Sequence, residues 1–262
     1  MSKMNKNPLI YITNDDGPDT KGLNKLIEIV SEITDNYLIV VPKENRSGYG
    51  HSITISRPIR LNKIDNNFFT CDGTPTDCVM LGLYEILKNK KPDLLISGIN
   101  MGENLANDIT YSGTVCAALE GALREIKSIA LSKIMPKDEN KDDWSSIDKY
   151  LKNIILNLLN NKINNNHFLN VNFPNTNYKN INDIMITRPS KRKPMGKFLS
   201  RKDAKNIPYY WLTTERYSSN IHKKDSDIWA VENNYISISP LNIAMTEISD
   251  LFVYKEQFNK NK

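Results

Sequence analysis

The chain has 262 residues, 39% of them hydrophobic and 25% charged, a balance that excludes collagenous, wholly disordered and disulfide-scaffold classes. Its 35 Lys and Arg against 30 Asp and Glu give a formal charge of +5, which suits an anionic ligand without demanding a polyanion. Three cysteines, Cys71, Cys78 and Cys116, show no CxxC spacing and read as reduced thiols; with no signal h-region or apolar run long enough to span a membrane, the sequence reads as cytoplasmic.

In chain order, Pro8 to Thr13 (PLIYIT) predicts the first strand, and the helical spacing of Leu23, Leu26, Ile27 and Val30 predicts a helix from Leu23 to Ile33. Tyr37 to Val41 (YLIVV) is a second strand, ended by Pro42. A helix over Cys78 to Leu87 follows, led in by Thr76 and Asp77, then a buried strand at Leu94 to Ser97. Thr114 to Ile126 is a further helix, Ile129 to Ser132 a strand, Trp144 to Leu159 an amphipathic helix and Phe168 to Phe173 a strand stopped at Pro174. This alternation is the pattern of βαβ units with a mostly parallel sheet. The Asn-rich run Asn153 to Asn166 is a compositional bias of the chain. After Pro174 the alternation stops: Arg188 to Lys205 carries eight bases against Asp203, and Tyr209 to Leu212 and Tyr235 to Ser239 predict extra strands, including a projecting hairpin. No Pro, Gly and Ser linker separates two domains, so 1–174 reads as the core and 175–262 as an extension completing the same domain.

The chemistry gathers where predicted strands end. The first strand runs into Asn14-Asp15-Asp16-Gly17, whose adjacent carboxylates repel each other and are costly to desolvate unless a cation lies between them. The second runs into Asn45-Arg46-Ser47-Gly48 and the third into Ser97 to Asn104. Ligands of open α/β sheets bind outside the strands' carboxyl ends, so these loops should converge, offering Asp15, Asp16, the Ser47 hydroxyl and the Asn100 carbonyl. Such hard oxygens suit Mg²⁺, Mn²⁺ or Ca²⁺ and not zinc. Tyr111-Ser112-Gly113-Thr114 opens a helix whose free N–H groups and hydroxyls would cradle a phosphate. A cation cluster facing an anion cradle is the layout of phosphoryl transfer. GxGxxG, GxxxxGK[ST] and GxSxG are absent, and adjacent Asp15 and Asp16 do not fit the alternate spacing of a haloacid-type phosphatase. His51 reads as a structural hydrogen-bonder.

TNDDG at Thr13 to Gly17, RSGYGHSIT at Arg46 to Thr54, GTPTDCV at Gly73 to Val79, the SGINMGEN and YSGTV elements, LNVNFP at Leu169 to Pro174, YYWL at Tyr209 to Leu212 and the SISPL end of Asp225 to Leu241 stand in one fixed order. In these motifs the chain resembles the SurE family of metal-dependent 5'-nucleotidases and phosphatases over nearly its whole length. The resemblance implies an α/β, Rossmann-like core of mostly parallel sheet flanked by helices. It also implies a C-terminal β-hairpin and arm, a homodimer or homotetramer, and hydrolysis of nucleoside 5'-monophosphates with one divalent ion. Carried over by motif, Asp15, Asp16, Ser47 and Asn100 correspond to metal ligands, Asp15 and Asp16 being also catalytic. Asn104, Ser112, Gly113 and Thr114 correspond to phosphate-facing residues. Ala106 stands where the family pattern has Gly.

The rival from another class is a catalytically silent nucleotide-binding module, which would need only the cradle and not all four oxygen ligands. Nucleic-acid and membrane partners are not expected; the basic Arg188 to Lys205 stretch has a single aromatic, Phe198, among its eight bases in sequence. Tyr209, Tyr210, Trp211 and Trp229 are expected to mark a surface for a second copy of the chain.

Overall fold

The computed structural model describes residues 7–136, 138–161, 167–192, 196–213 and 222–259. Part of the Asn-rich run (162–166) and of the basic stretch (193–195) lies outside the described residues. The strands are β1 (Ile10–Thr13), β2 (Tyr37–Pro42), β3 (Leu61–Asp65), β4 (Phe68–Cys71), β5 (Leu94–Met101), β6 (Ser128–Lys133), β7 (His167–Phe173), β8 (Ile184–Ile186), β9 (Phe198–Lys202), β10 (Pro208–Leu212) and β11 (Ile236–Asn242). The helices are α1 (Lys21–Ser31), α2 (Pro75–Leu81), α3 (Gly113–Leu123), α4 (Ser145–Asn160), α5 (Asp227–Glu232) and α6 (Leu251–Asn259).

β1 is buried along its whole length, which is why it reads as an unbroken apolar run and not as an alternation. Ile10 and Ile12 face α1 and α4, with Leu23, Leu26, Val30, Leu151 and Ile155 in one core layer. Tyr11 faces the other way, against Cys78, Val79 and Ala117 of α2 and α3. A strand's two-residue period thus lets one short segment anchor both helical layers. The sheet has nine strands in the order β3-β4-β2-β1-β5-β6-β7-β11-β8. β4 through β7 of that order pair in parallel, β3 and β11 join antiparallel, and β8 runs parallel to β11.

Several predicted boundaries move for identifiable reasons. α2 begins at Pro75 and not at Cys78, because Thr74 is its N-cap: the Thr74 hydroxyl accepts the Asp77 N–H at 3.1 Å and the Asp77 carboxylate accepts the Thr74 N–H at 2.8 Å. Its end loosens into a π-helical turn, Gly82–Ile86. There the Tyr11 hydroxyl enters, donating to the Cys78 carbonyl at 2.6 Å, and a Cβ at Gly82 would stand 2.0 Å from that oxygen. β3, β4 and β8 are not among the predicted strands. β3 is a largely exposed, polar edge strand, and β8 is three residues long. The Tyr235 to Ser239 run belongs to no hairpin; it becomes β11 inside the main sheet.

β9 and β10 form the projecting hairpin as a separate two-stranded sheet, exposed throughout. Its register sets Tyr209 opposite Arg201, so bases and aromatics separated in sequence become neighbours across the strands. Trp229 is not part of that aromatic face, since it stacks on Tyr235 with centroids 5.9 Å apart. Among the described residues no helix is long and apolar enough to cross a membrane, and all three cysteines are buried and unpaired.

Candidate functional site

The loops after β1, β2 and β5 and the start of α3 meet through hydrogen bonds at the carboxyl edge of the sheet. Asn14 shapes the first loop: its Oδ1 accepts the Gly17 N–H at 3.2 Å and its Nδ2 donates to the Gly17 carbonyl at 2.7 Å. This tight turn needs the positive φ of Gly17, +99°. The Arg46 N–H donates to the Asp15 carbonyl at 2.7 Å, joining the second loop to the first. Asn45 reaches Asp16 Oδ1 at 3.4 Å and accepts the Ser47 N–H at 2.9 Å, while the Gly50 N–H reaches the Tyr111 carbonyl at 3.0 Å.

Asp15 is 3% exposed, and its Oδ1 accepts the Thr114 hydroxyl at 2.5 Å. Burial, and then the neighbouring Asp16 charge, push its carboxyl up to about 6, against the hydrogen bonds from Thr114 that favour the ionised form. Burial raises Asp16 as well, opposed by a hydrogen bond from the Met101 N–H. Asp16 Oδ2 is buried without a hydrogen-bond partner. A buried carboxylate beside a half-buried one, short of compensating charge and with the Asp16 Oδ2 unpartnered, fits a divalent cation. Among the described residues no three His, Cys, Asp or Glu side chains gather at one point, so an ion here would rest on this pair and on neutral oxygens. Ser47 is exposed on its loop, and Asn100 donates its amide to the Gly102 carbonyl at 2.7 Å, which turns its own oxygen away from that bond. An all-oxygen set of this kind is hard and suits Mg²⁺ or Mn²⁺.

The expected phosphate cradle is arranged differently from its sequence reading. Thr114 is fully buried and directs its hydroxyl and its N–H to Asp15, so the anion at this corner of α3 is the protein's own carboxylate. A Cβ at Gly113 would lie 2.8 Å from the Asp15 Cβ and 3.0 Å from Pro75, so packing against the Asp15 turn by itself requires glycine there. Ser112 caps the helix, accepting the Val115 N–H at 3.1 Å. Asn104 is 7% exposed and donates its side-chain amide to Ser132 Oγ at 2.8 Å. His51 pairs with Glu120 at 3.0 Å, the structural role expected of it.

Asp227 was not legible as a site residue, because an acid in the first turn of a helix is an ordinary sequence feature. It is wholly buried and accepts N–H groups from Ala106 at 2.7 Å, Ser190 at 2.8 Å and Ile228 at 2.7 Å, tying the loop after Asn104 to the root of the hairpin. Arg192 adds to this seam by pairing with Asp108 and accepting the Asn107 amide at 2.7 Å through its carbonyl. Ala106 itself has φ +52°, the left-handed conformation that a glycine adopts freely. That conformation costs a non-glycine residue roughly 1–2 kcal/mol, of which the greater unfolded-state freedom of glycine takes back about 0.4–1. Ala106→Gly is therefore expected to stabilise the protein by about 0.5–1 kcal/mol, read as a rise in the midpoint of thermal unfolding; an unchanged or lower midpoint contradicts the strain.

Fold and site together define an open α/β protein with an acidic, oxygen-lined site at the carboxyl edge of a mostly parallel sheet, beside a helix N-terminus. The family model described as Survival protein SurE matches residues 10–195. The 5'-nucleotidase SurE of Aquifex aeolicus is 40% identical over 240 residues, 91% of this chain and 94% of that one. The protein of the same description from Paramagnetospirillum magneticum is 38% identical over 249 residues, 95% of each chain. The crystal structure of the Aquifex aeolicus SurE protein superposes with a TM-score of 0.82 at 39% identity, covering 96% of this chain and all of that one. The chain belongs to the SurE family.

Proposed function

We propose that this chain is a 5'-nucleotidase, a phosphomonoesterase that uses one divalent cation, Mg²⁺ or Mn²⁺, to cleave nucleoside 5'-monophosphates into nucleoside and phosphate. The observation that carries the reading is the buried Asp15 beside the half-buried Asp16 with its orphaned oxygen, in a chain 40% identical to a relative described as a 5'-nucleotidase. Asp15, Asp16, Ser47 and Asn100 hold the ion. When bound, it supplies charge stabilisation at the phosphoryl group and lowers the pKa of a water. Thr114 fixes the Asp15 carboxylate in one orientation, and Asp15 or Asp16 would orient the attacking water. The Asn104 amide, the Ser112 hydroxyl and the Gly113 N–H at the α3 terminus face the phosphoryl oxygens.

Phosphate release from a panel of nucleoside 5'-monophosphates, the matching 3'-monophosphates and a simple aryl phosphate tests this reading. The 5'-monophosphates are expected to be cleaved with the highest kcat/KM, and chelator is expected to abolish release. Tight binding of a nucleotide without turnover would instead identify a silent binding module and overturn the proposal.

The same protein works as a dimer or tetramer. The hairpin leaves Tyr210 at 62% and Trp211 at 67% exposure, and α6 leaves Phe252 at 69% and Phe258 at 79%, large apolar side chains that a second copy of the chain would cover. Light scattering at micromolar concentration is expected to give at least a dimer. A chain ending at Thr246, without α6, should give a lower assembly state; a monomeric full-length protein contradicts this.

A further inference from the structure

β7 carries two asparagines where a central strand ordinarily carries apolar side chains. Phe168 packs toward α3, while Val171 and Phe173 pack into the opposite layer with α4. Strand alternation therefore puts Asn170 and Asn172 on the α3 side, and both are wholly inaccessible to solvent. Burying two amides is unfavourable unless their hydrogen bonds are made. These amides converge on the main chain of one residue. Asn172 Oδ1 accepts the Asn104 N–H at 2.9 Å and Asn172 Nδ2 donates to the Asn104 carbonyl at 3.1 Å. Asn170 Nδ2 donates to the same carbonyl at 2.8 Å. The Asn104 side chain is in turn held by Ser132 Oγ of β6.

A single amide that grips both the N–H and the C=O of one residue fixes that peptide's position and its rotation about the chain. The segment so gripped is the turn from Gly102, with φ +144°, to Ala106, with φ +52°, which has no ladder of its own to hold it. We propose that Asn172 is a positioning residue for the reaction: its side-chain amide clamps the Asn104 main chain so that the Asn104 side chain meets the phosphoryl group in one orientation. This rests on the proposed phosphate-facing role of Asn104. Asn170 supports the clamp through the shared carbonyl, and its own Oδ1 is left without a partner, so Asn172 is the member whose two hydrogen-bonding atoms are both committed to Asn104.

The test is a double-mutant cycle on the full-length protein, with Mn²⁺ and a nucleoside 5'-monophosphate, reading kcat, KM and Mn²⁺ affinity for Asn172→Leu, Asn104→Ala and the pair. Displacing a substrate-facing group by about 1 Å costs on the order of a hundredfold in rate. Asn172→Leu is therefore expected to lower kcat by about that factor, with KM and Mn²⁺ affinity nearly unchanged, and to add less than about threefold in the Asn104→Ala background. A merely structural role would instead give additive losses, or a fall in Mn²⁺ affinity along with rate, and either result overturns the clamp. If Asn172→Leu does not fold, Asn172→Asp serves: it keeps the shape and the acceptor for the N–H but sets an oxygen against the Asn104 carbonyl, for an expected loss of about tenfold that again disappears in the Asn104→Ala background. Full rate in Asn104→Ala overturns the reading of Asn104 and the clamp with it. Loss in Asn104→Ala without loss in the Asn172 variants overturns the clamp alone.

Discussion

Asp16→Asn is expected to reduce phosphate release by about three orders of magnitude, because several kcal/mol of transition-state charge stabilisation leave with the ion and each 1.4 kcal/mol is a factor of ten. The substitution keeps the shape of the side chain and removes the charge that a divalent cation needs, so Mn²⁺ affinity should fall together with the rate. Thr114→Val gives the informative comparison. Its hydroxyl is buried on Asp15 at 2.5 Å, and a hydrogen bond to a charged group is worth about 1.5–3 kcal/mol. Losing it should weaken Mn²⁺ binding and turnover together, each by about ten- to a hundredfold, and leave KM for the nucleotide nearly unchanged. A Thr114→Val protein with unaltered Mn²⁺ affinity and a raised KM would show that Thr114 faces substrate after all.

Asp142→Ala should be the most destabilising single change away from the site. The Lys133 side chain is completely buried at the end of β6, its ammonium donating to Asp142 Oδ1 at 2.5 Å, to Asn175 Oδ1 at 2.8 Å and to the Ile134 carbonyl at 3.2 Å. Lys21 and the Trp144 indole N–H close the other Asp142 oxygen at 2.8 and 2.6 Å. Burial pulls the Lys133 ammonium below its ordinary range, and Asp142 is what opposes that pull. Removing one partner of such a pair leaves the other charged and unpaired, at a cost of about 3–5 kcal/mol, readable as a lower urea midpoint.

The pH dependence has a definite sign. Burial alone would raise Asp142, but Lys133, Lys21 and Trp144 hold it down from an ordinary 3.8 to about 2. A carboxylate whose folded pKa is depressed stabilises the fold fully above its unfolded value and loses that stabilisation as the pH falls toward the folded one. Between 3.8 and about 2 the wild type should therefore lose stability more steeply than Asp142→Ala; parallel curves would contradict the assignment.

The parallel core was legible because β1, β2 and β5 are short apolar runs, buried on both faces, separated by segments with helical periodicity. The C-terminal part was less so. β11 alternates like a hairpin strand, and only its partners, β7 and β8, place it in the main sheet. At the site, the acidic turn was visible because two adjacent carboxylates demand an explanation of their own. The role of Thr114 was not: a Ser-Gly-Thr helix start has the same sequence whether the anion before it is a substrate phosphate or the carboxylate of Asp15. Asp227, 121 residues from Ala106, and Asn172, 68 residues from Asn104, act through main-chain hydrogen bonds, which leave no periodicity or motif to read.

The most direct test of the central claim is a calorimetric Mn²⁺ titration of chelator-treated protein, with phosphate release from a nucleoside 5'-monophosphate measured on the same samples for the wild type and Asp16→Asn. Binding of one ion per chain and the appearance of activity should coincide in the wild type, and both should be absent from Asp16→Asn. Full activity in protein that elemental analysis finds free of metal would contradict the account.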